Sequence, residues 1–413
     1  MKKDDIVRER ETAIHLWQSG YTTQEIARKS NRSSAWVRKW KSRFLADGWA
    51  GLRGESQAPK QHGRKLSPAT RRAILRTRSE LEAEAARGKG LKYIGSRAVR
   101  TRLKKKRLKI VPSRSTIERV LREAGMTRAY EKEEKRPQIH YPHLRPQEAH
   151  QLIQVDIVPR FLTGGKRMPC FNAIDVVSRY PTGLAFAQRR SVDAARFLIH
   201  VWQTIGIPCY TQVDNEGCFS GGATHPYVLG RVVRTALQVG TELVFSPVYN
   251  PASNGFVERF HQDYDRHVWE DTYLQDQTQV NQQADRFFCE YRESRHHVAL
   301  HEESPNQVHH RKPPTRLATD FRLPAHKLPL YAGRIHFMRK VQADNTISLL
   351  NVVWSVPKAI PEQGVWATLA LTPQHARLFV YDAAPDASMR TLLATHPFPL
   401  HEPVLSRTVS EGR

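Results

Sequence analysis

The run LIQVDIV, Leu152–Val158, divides the chain into two parts of different character. Its β-branched and apolar residues describe a strand, too short for a helix and bounded by polar residues. Asp156 stands in its middle, between Val155 and Ile157, where a carboxylate is unfavourable unless a metal or hydrogen bonds compensate its charge. Downstream, a Gly164-Gly165 turn leads to the strand MPCFNAIDVV (168–177), and TGLAFA (182–187) makes a third, as in an antiparallel meander. A helix over Val192–Ile205, the strand YTQVD (210–214), a helix over Pro226–Val239 and the strand ELVF (242–245) follow. The stretch SPVYNPASNGFVERFHQDYDRH, Ser246–His267, then runs from a loop into an amphipathic helix, with Asn254 at its N-cap and Glu258 in its first turn. A further helix is expected over Gln277–Ser294.

The order βββαβαβα predicts a mixed five-stranded sheet flanked by helices, the ribonuclease-H-like layout. In it the first and fourth strands are neighbours. Asp214, at the end of the fourth strand, then lies where an open α/β sheet places functional groups. The helix carrying Glu258 crosses the same edge. Three carboxylates brought together repel one another unless divalent cations sit among them, and all-oxygen donors select Mg2+ or Mn2+. Two such ions per site suit phosphodiester chemistry. Asp175 in AIDVVSRY reads instead as the anchor of a turn, and Glu216, in the loop after Asp214, as a solvated residue.

Upstream, the balance of charge shifts. Residues 1–150 hold 38 Lys+Arg against 16 Asp+Glu, a net of +22 out of +25 for the whole chain of 413 residues. A basic front half and a nearly neutral back half imply a polyanionic partner, and nucleic acid suits short, separated basic helices better than a membrane surface does. Helices over 6–19, Gln24–Lys29 and Ala35–Ala46, with Thr22 or Thr23 and Ser33 or Ser34 as caps, form a helix-turn-helix. Its last helix buries Trp36, Val37, Trp40 and Phe44 and shows Arg38, Lys39, Lys41 and Arg43 outward. A second helical group spans Thr70–Glu84, Ser96–Lys105 and Ser115–Ala124, with Pro68 in its first turn and Arg114, Arg119 and Arg122 near or on its last helix. Two such modules in tandem can follow two successive grooves of a duplex.

After the core, His296–Pro314 is rich in histidine and proline, and reads as a basic linker in preference to a metal site, because no cysteine lies within it. Short runs from Leu330 (RIHFMRKV, NTISLL, VVWSV, VWATLAL, ARLFVY) suggest a small β-barrel with Arg334, Arg339 and Lys340 on its edges. The expected organisation is a helix-turn-helix (1–50), a linker (51–66), a second helix-turn-helix of winged or homeodomain-like type (67–129), a linker (130–150), the α/β core (151–295), a linker (296–328) and the small barrel (329–400). Four cysteines without CxxC spacing, no apolar run long enough for a bilayer and no secretory signal at MKKDDIVRER favour a reducing cytoplasm.

Taken together, VDIV, AIDVVSRY, QVDNEGCF and NGFVERFHQDY resemble the catalytic core of the retroviral-integrase-like DDE transposases of bacterial insertion sequences, over about residues 150–300. The resemblance implies that Asp156, Asp214 and Glu258 are the metal-binding catalytic triad. It also implies that Asn215 stands beside the second aspartate and that Arg259 and Gln262 approach the DNA backbone. It further implies duplex DNA as partner, at both element ends and target, and a homodimer or higher multimer assembled on it. It gives no support for an accessory ATPase. Two departures stand out. The 43 residues between Asp214 and Glu258 exceed the usual integrase spacing, the surplus falling in SGGATHPYVLG, and Glu216 replaces the glycine common after Asp-Asn. The competing readings are a non-catalytic DNA-binding regulator and a ribonuclease-H-like nuclease.

Overall fold

The computed structural model describes residues 3–53, 66–88, 92–108, 110–127, 139–221, 225–247, 250–324 and 326–407. Residues 54–65 of the first expected linker (51–66), residues 128–138 across the end of the second expected helix-turn-helix and the start of the second linker (130–150), and residues 222–224 of the long loop lie outside these. The chain forms two compact units, Met1–Arg71 and Arg72–Arg413.

In the first unit, α1 (Lys3–Gln18), α2 (Thr23–Lys29) and α3 (Ser34–Asp47) enclose Ala13, Ile14, Ile26, Val37, Trp40 and Leu52. Thr22 opens α2 with a reciprocal capping box to Glu25, and Ser33 caps α3 through the Trp36 amide. Arg10 lies 3.7 Å over the Trp40 ring and donates to the Leu52 carbonyl, tying α1 to the segment after α3.

Helix α4 (Pro68–Ala86) runs across the boundary into the second unit, where α5 (Ser96–Lys105) and α6 (Arg114–Glu123) complete a helical module, with Ser113 capping α6. The core then begins with β1 (Leu152–Phe161), β2 (Arg167–Asp175) and β3 (Pro181–Ala185). There follow α7 (Ser191–Thr204), β4 (Tyr210–Val213), the short α8 (Gly217–Ser220), α9 (Arg231–Val239), β5 (Glu242–Phe245), α10 (Gly255–Tyr264), α11 (Gln277–Ser294) and α12 (Pro305–His309). The βββαβαβα order read from the sequence is present, with α8 added. The expected helix at Pro226 starts only at Arg231. Tyr227 takes a positive φ and packs edge-on against Trp354 and Phe398, which draws 226–230 out of helical geometry.

The remaining strands are β6 (Leu330–Tyr331), β7 (Gly333–Lys340), β8 (Thr346–Leu349), β9 (Val352–Ser355), β10 (Gly364–Leu371), β11 (Ala376–Tyr381), β12 (Leu392–Pro397) and β13 (Val404–Leu405). Among the described residues they do not close a separate barrel. β7 pairs in parallel with the edge strand β5, and the sheet runs on in the order β12-β11-β10-β7-β5-β4-β1-β2-β3. The cause is burial on both faces. Ile335 and Phe337 face one side, Phe337 stacking on Phe245, while His336 and Met338 are buried on the other. Such strands are sheet-interior strands, and joining β5 leaves no open edge there. Arg334, Arg339 and Lys340 are correspondingly engaged within the fold: Arg334 with Glu242, Lys340 with Glu362 and Arg339 as described below.

Helices α7 and α9 cover the sheet face that carries Ile153, Val155, Ile157 and Val213. Helices α10 and α11 cover the opposite face through Val257, Phe260, Tyr264, Phe287 and Phe288. The end of the expected second linker also packs down: Tyr141 and Leu144 are buried, and the Trp366 indole donates to the Pro142 carbonyl (2.6 Å).

Candidate active site

Strands β1 and β4 are parallel neighbours with Gln154 opposite Gln212. Two residues beyond this last paired position stand Asp156, still on β1, and Asp214, just past the end of β4, and residues two apart share a face. That face is the one under α10, since the odd-numbered neighbours enter the core beneath α7 and α9.

The two glutamines hold α10 in place. Gln212 Nε2 donates to the Ser253 carbonyl (2.8 Å) and to Asn254 Oδ1 (2.6 Å). Gln154 Nε2 donates to the same Ser253 carbonyl (3.0 Å), and its Oε1 accepts from the Phe256 and Val257 amides (3.1 and 3.3 Å). Amides in the first turn of a helix have no carbonyl partner of their own, so Gln154 caps α10 from a neighbouring strand. This corrects the expected role of Asn254, whose side chain makes no cap hydrogen bond. Glu258, half-buried in the first turn, comes close enough for its charge to act on Asp156.

The electrostatics follow from this crowding. Burial first, then the charge of Asp214, pushes the Asp156 carboxyl up to about 7 against the hydrogen bond from the Ile157 amide, with Glu258 and Glu216 adding to the rise. Burial pushes Asp214 up to about 6, the charge of Glu216 raising it further while the Glu216 amide (3.0 Å) and Arg189 oppose the rise. Burial raises Glu258 also. Glu216 is therefore not the solvated bystander expected. It is held by Arg189 at 2.8 Å and acts electrically on both aspartates.

Other contributors went unrecognised in the sequence. Asn172 lies opposite Asp156 on β2, fully buried, with neither side-chain polar atom hydrogen-bonded. Gly183, its partner on β3, leaves room for it: a Cβ there would stand 2.4 Å from Asn172 Oδ1. His261 places Nδ1 3.7 Å from Asp156 Oδ2; burial and the nearby Arg160 lower its pKa to about 3, so it is neutral, and its Nε2 has no partner. Arg160 on β1 pairs with Asp265 just after α10, fixing the far end of that helix. Asn215, beside Asp214, donates to the Ser246 carbonyl and accepts from Arg339 (2.8 Å). Arg339 also donates to the carbonyls of Ser348 and Met338, so the strands after the core buttress the loop that carries the second aspartate. The nearest sequence signal was the pair of glutamines two places before each aspartate, polar residues inside otherwise apolar runs.

The chemistry of the donor set fits a hard divalent cation. The converging donors are carboxylate oxygens, two of them on groups whose pKa values are raised first by burial and then by the charge of a neighbouring carboxylate, both of which a bound cation offsets. A second cluster, His150, Asp175 and His309, also brings possible ligand atoms within 4.8 Å of one another. Its donors are largely occupied. Asp175 accepts from the amides of His150, Val177 and Ser178 and from the Ser178 hydroxyl, while His309 bonds to Ser178 and the Ile205 carbonyl. Asp175 is thus a turn anchor. His309 is fully buried, so the histidine-rich connector packs on the core instead of forming the expected basic linker.

The expected DNA contacts divide by location. On α3, Arg38 and Lys39 are exposed, while Lys41 Nζ lies 4.4 Å over Trp17 and the Arg43 guanidinium 5.3 Å from the Trp40 ring. On α6, Arg114 and Arg119 are 58% and 65% exposed, each 3.9 Å from a glutamate one turn on. Arg259 and Gln262 are exposed on α10 and hydrogen-bond to each other.

Residues 239–305 match the family model of the integrase core domain, and residues 7–53 match that of the homeodomain-like domain. Both lie where the sequence resemblance put a catalytic core and a helix-turn-helix. Similar solved structures include a simian T-cell lymphotropic virus intasome in complex with the PP2A regulatory subunit B56 gamma. It is 12% identical with a TM-score of 0.36, over 79% of this chain and 99% of that one. The HTLV-2 integrase catalytic core domain in complex with magnesium is 12% identical with a TM-score of 0.33, over 40% and 100%. The BIV integrase catalytic core domain is 16% identical with a TM-score of 0.31, over 39% and 95%. Among the described residues, no helix is long and apolar enough to cross a membrane.

Proposed function

We propose that this chain, which carries an integrase core segment behind a homeodomain-like helix-turn-helix, is a DNA transposase of the insertion-sequence type. In this reading the helical modules bind the terminal inverted repeats of its own mobile element. The core hydrolyses a phosphodiester at each element end, releasing a 3′-OH, and that hydroxyl displaces a 3′-oxygen in target DNA without a covalent protein intermediate. The observation that supports the reading is the pairing of Gln154 with Gln212, two residues before Asp156 and Asp214, together with the charges of Asp214 and Glu258 acting on Asp156 and the two glutamines holding the start of α10.

Asp156, Asp214 and Glu258 would hold two Mg2+ or Mn2+ ions, which when bound polarise the scissile phosphate, activate the attacking oxygen and stabilise the leaving one. The chain's own residues supply the frame. Gln154 and Gln212 fix the height of Glu258; neutral His261 sits against Asp156 without adding positive charge; Arg189 holds Glu216 back by ion pairing. No nucleophilic Ser or Tyr is needed. Work on two DNA ends implies a dimer or higher multimer assembled on DNA, in a bacterial cytoplasm at the nucleoid.

The test is nicking of a labelled duplex that carries the repeat sequence flanking the reading frame, with Mg2+ or EDTA present. Cleavage by the parent in Mg2+, lost in EDTA and in Glu258→Gln, is expected. Binding of that duplex with no metal-dependent cleavage would return the protein to the class of DNA-binding regulators. Cleavage of RNA–DNA hybrids alone would make it a nuclease.

A further inference from the structure

Strand β2 places a carboxamide where its neighbours are apolar. Residues two apart on a strand share a face, and on this face Cys170 and Ile174 pack beneath Val257, Phe260 and Tyr264 of α10. Asn172 stands between them, fully buried, with neither Nδ2 nor Oδ1 hydrogen-bonded. A buried amide without partners costs free energy that an apolar side chain in its place would not. Folded proteins satisfy nearly all such groups, and an orphaned one beside a reactive centre points to a partner there that takes it up.

Across the ladder from Asn172 stands Asp156. Directly opposed residues of an antiparallel pair carry Cβ atoms about 4.5–5.5 Å apart, within reach for a carboxamide and a carboxylate. Asp156 Oδ1 accepts from the Ile157 amide at 2.9 Å. Among the described residues Oδ2 makes no hydrogen bond, and His261 Nδ1 stands 3.7 Å from it. Gly183 and Phe288 confine the carboxamide on the β3 side: a Cβ on Gly183 would come within 2.4 Å of Asn172 Oδ1 and 2.7 Å of the Phe288 ring. Asp156 lies on the other side. The terminal torsion of an asparagine is a broad rotor, so a turn of the carboxamide brings its donor round without moving the strand.

We propose that Asn172 is a positioning residue for Asp156, its Nδ2–H group donating to Oδ2 of the ionised carboxylate and fixing the orientation in which that carboxylate holds a cation. This rests on the reading of Asp156, Asp214 and Glu258 as a cation-binding centre. A carboxamide suits the task because it is a donor without charge. It steadies the carboxylate and leaves its negative charge to the cation, which a lysine or arginine at the same place would neutralise. Gly183 belongs to the same arrangement, since any larger residue there would displace Asn172.

The test uses the full-length protein and Mn2+ alone, with free Mn2+ counted by electron paramagnetic resonance and urea denaturation in EDTA run beside it. Asn172→Thr and Asn172→Val have the same branched shape, suit a strand, and differ in that only the first keeps a donor. The valine variant is expected to bind Mn2+ about 10–100-fold more weakly than the parent, the usual cost of losing a group that orients a ligand. The threonine variant should fall between the two. In EDTA the order should reverse, with the valine variant at least as resistant to urea as the threonine variant, because it buries no orphaned polar group. Parental Mn2+ affinity in the valine variant, or equal affinities in the two variants, would overturn the proposal. A valine variant that fails to fold where the threonine variant folds would make the polar group a structural need and would also overturn it. A parent that takes up no more Mn2+ than Asp156→Asn would overturn the cation-binding centre itself.

Discussion

Replacing Asp156 with asparagine tests whether the acidic centre is strained without cations. The folded-state pKa of Asp156, about 7, lies some three units above its ordinary value, and its side chain is 20% exposed. Below about pH 4 the group is protonated in both folded and unfolded chains and costs nothing. Between pH 4 and 7 the unfolded chain ionises first, so the ion-free fold loses stability as pH rises through that window. At 1.36 kcal/mol per unit the full loss is about 4 kcal/mol by pH 8. Asp156→Asn keeps an acceptor for the Ile157 amide and removes the charge. In EDTA the variant should therefore exceed the parent by up to about 4 kcal/mol at pH 8 and match it at pH 4, read from urea denaturation midpoints. Adding Mg2+ at pH 8 should narrow the gap to about 1 kcal/mol at 100 times its Kd and close it at 1,000 times, because the bound ion adds about 2.7 and about 4.1 kcal/mol respectively to the parent alone. A variant less stable than the parent at pH 8 in EDTA, or a difference independent of pH, would refute the reasoning.

Gln154→Ala should cost about 2–3 kcal/mol, since it strips two amides of α10 of their acceptor. It should also weaken Mg2+ affinity, and calorimetric titration that gave parental affinity would dissociate the glutamine from the site. Gly183→Ala drives a Cβ to 2.4 Å from Asn172 Oδ1 and 2.7 Å from Phe288, and should cost about 1–3 kcal/mol by overpacking, checked by denaturation. Arg339→Met removes the donor to Asn215, and should lower the rate of end cleavage while leaving repeat binding near the parental value; an unchanged single-turnover rate would separate the C-terminal strands from catalysis. Asp175→Ala leaves the amides of His150, Val177 and Ser178 without acceptors and should destabilise the core by about 3 kcal/mol, with the loss visible in the thermal midpoint.

Much of this was legible in the sequence because the α/β core obeys local rules. LIQVDIV alternates around Asp156, and the caps at Thr22 and Ser33 stand where short polar residues precede apolar periodicity. The failures share one cause, contacts between distant segments. Nothing local shows that Gln154 caps a helix 102 residues on, or that Asn254 is taken by Gln212. The barrel expectation rested on short strands with turns between them, yet VWATLAL is apolar on both faces, and that is the pattern of a strand inside a sheet. Glu216 reads as a solvated loop residue in the sequence because its partner, Arg189, is 27 positions away in a different loop.

The central claim is that Asp156, Asp214 and Glu258 act as one metal-dependent centre for joining DNA. The direct measurement is strand transfer of a precleaved repeat duplex, labelled at the 5′ end of the strand that carries the free 3′-OH, into a supercoiled target plasmid with Mg2+. Parent protein is compared with Asp156→Asn, Asp214→Asn and Glu258→Gln, each first shown to bind the duplex. The account predicts joined product with the parent and at least a thousandfold less with each variant, on the order of 4 kcal/mol of transition-state stabilisation. Joining that persists in any one of the three, or that proceeds in EDTA, would contradict it.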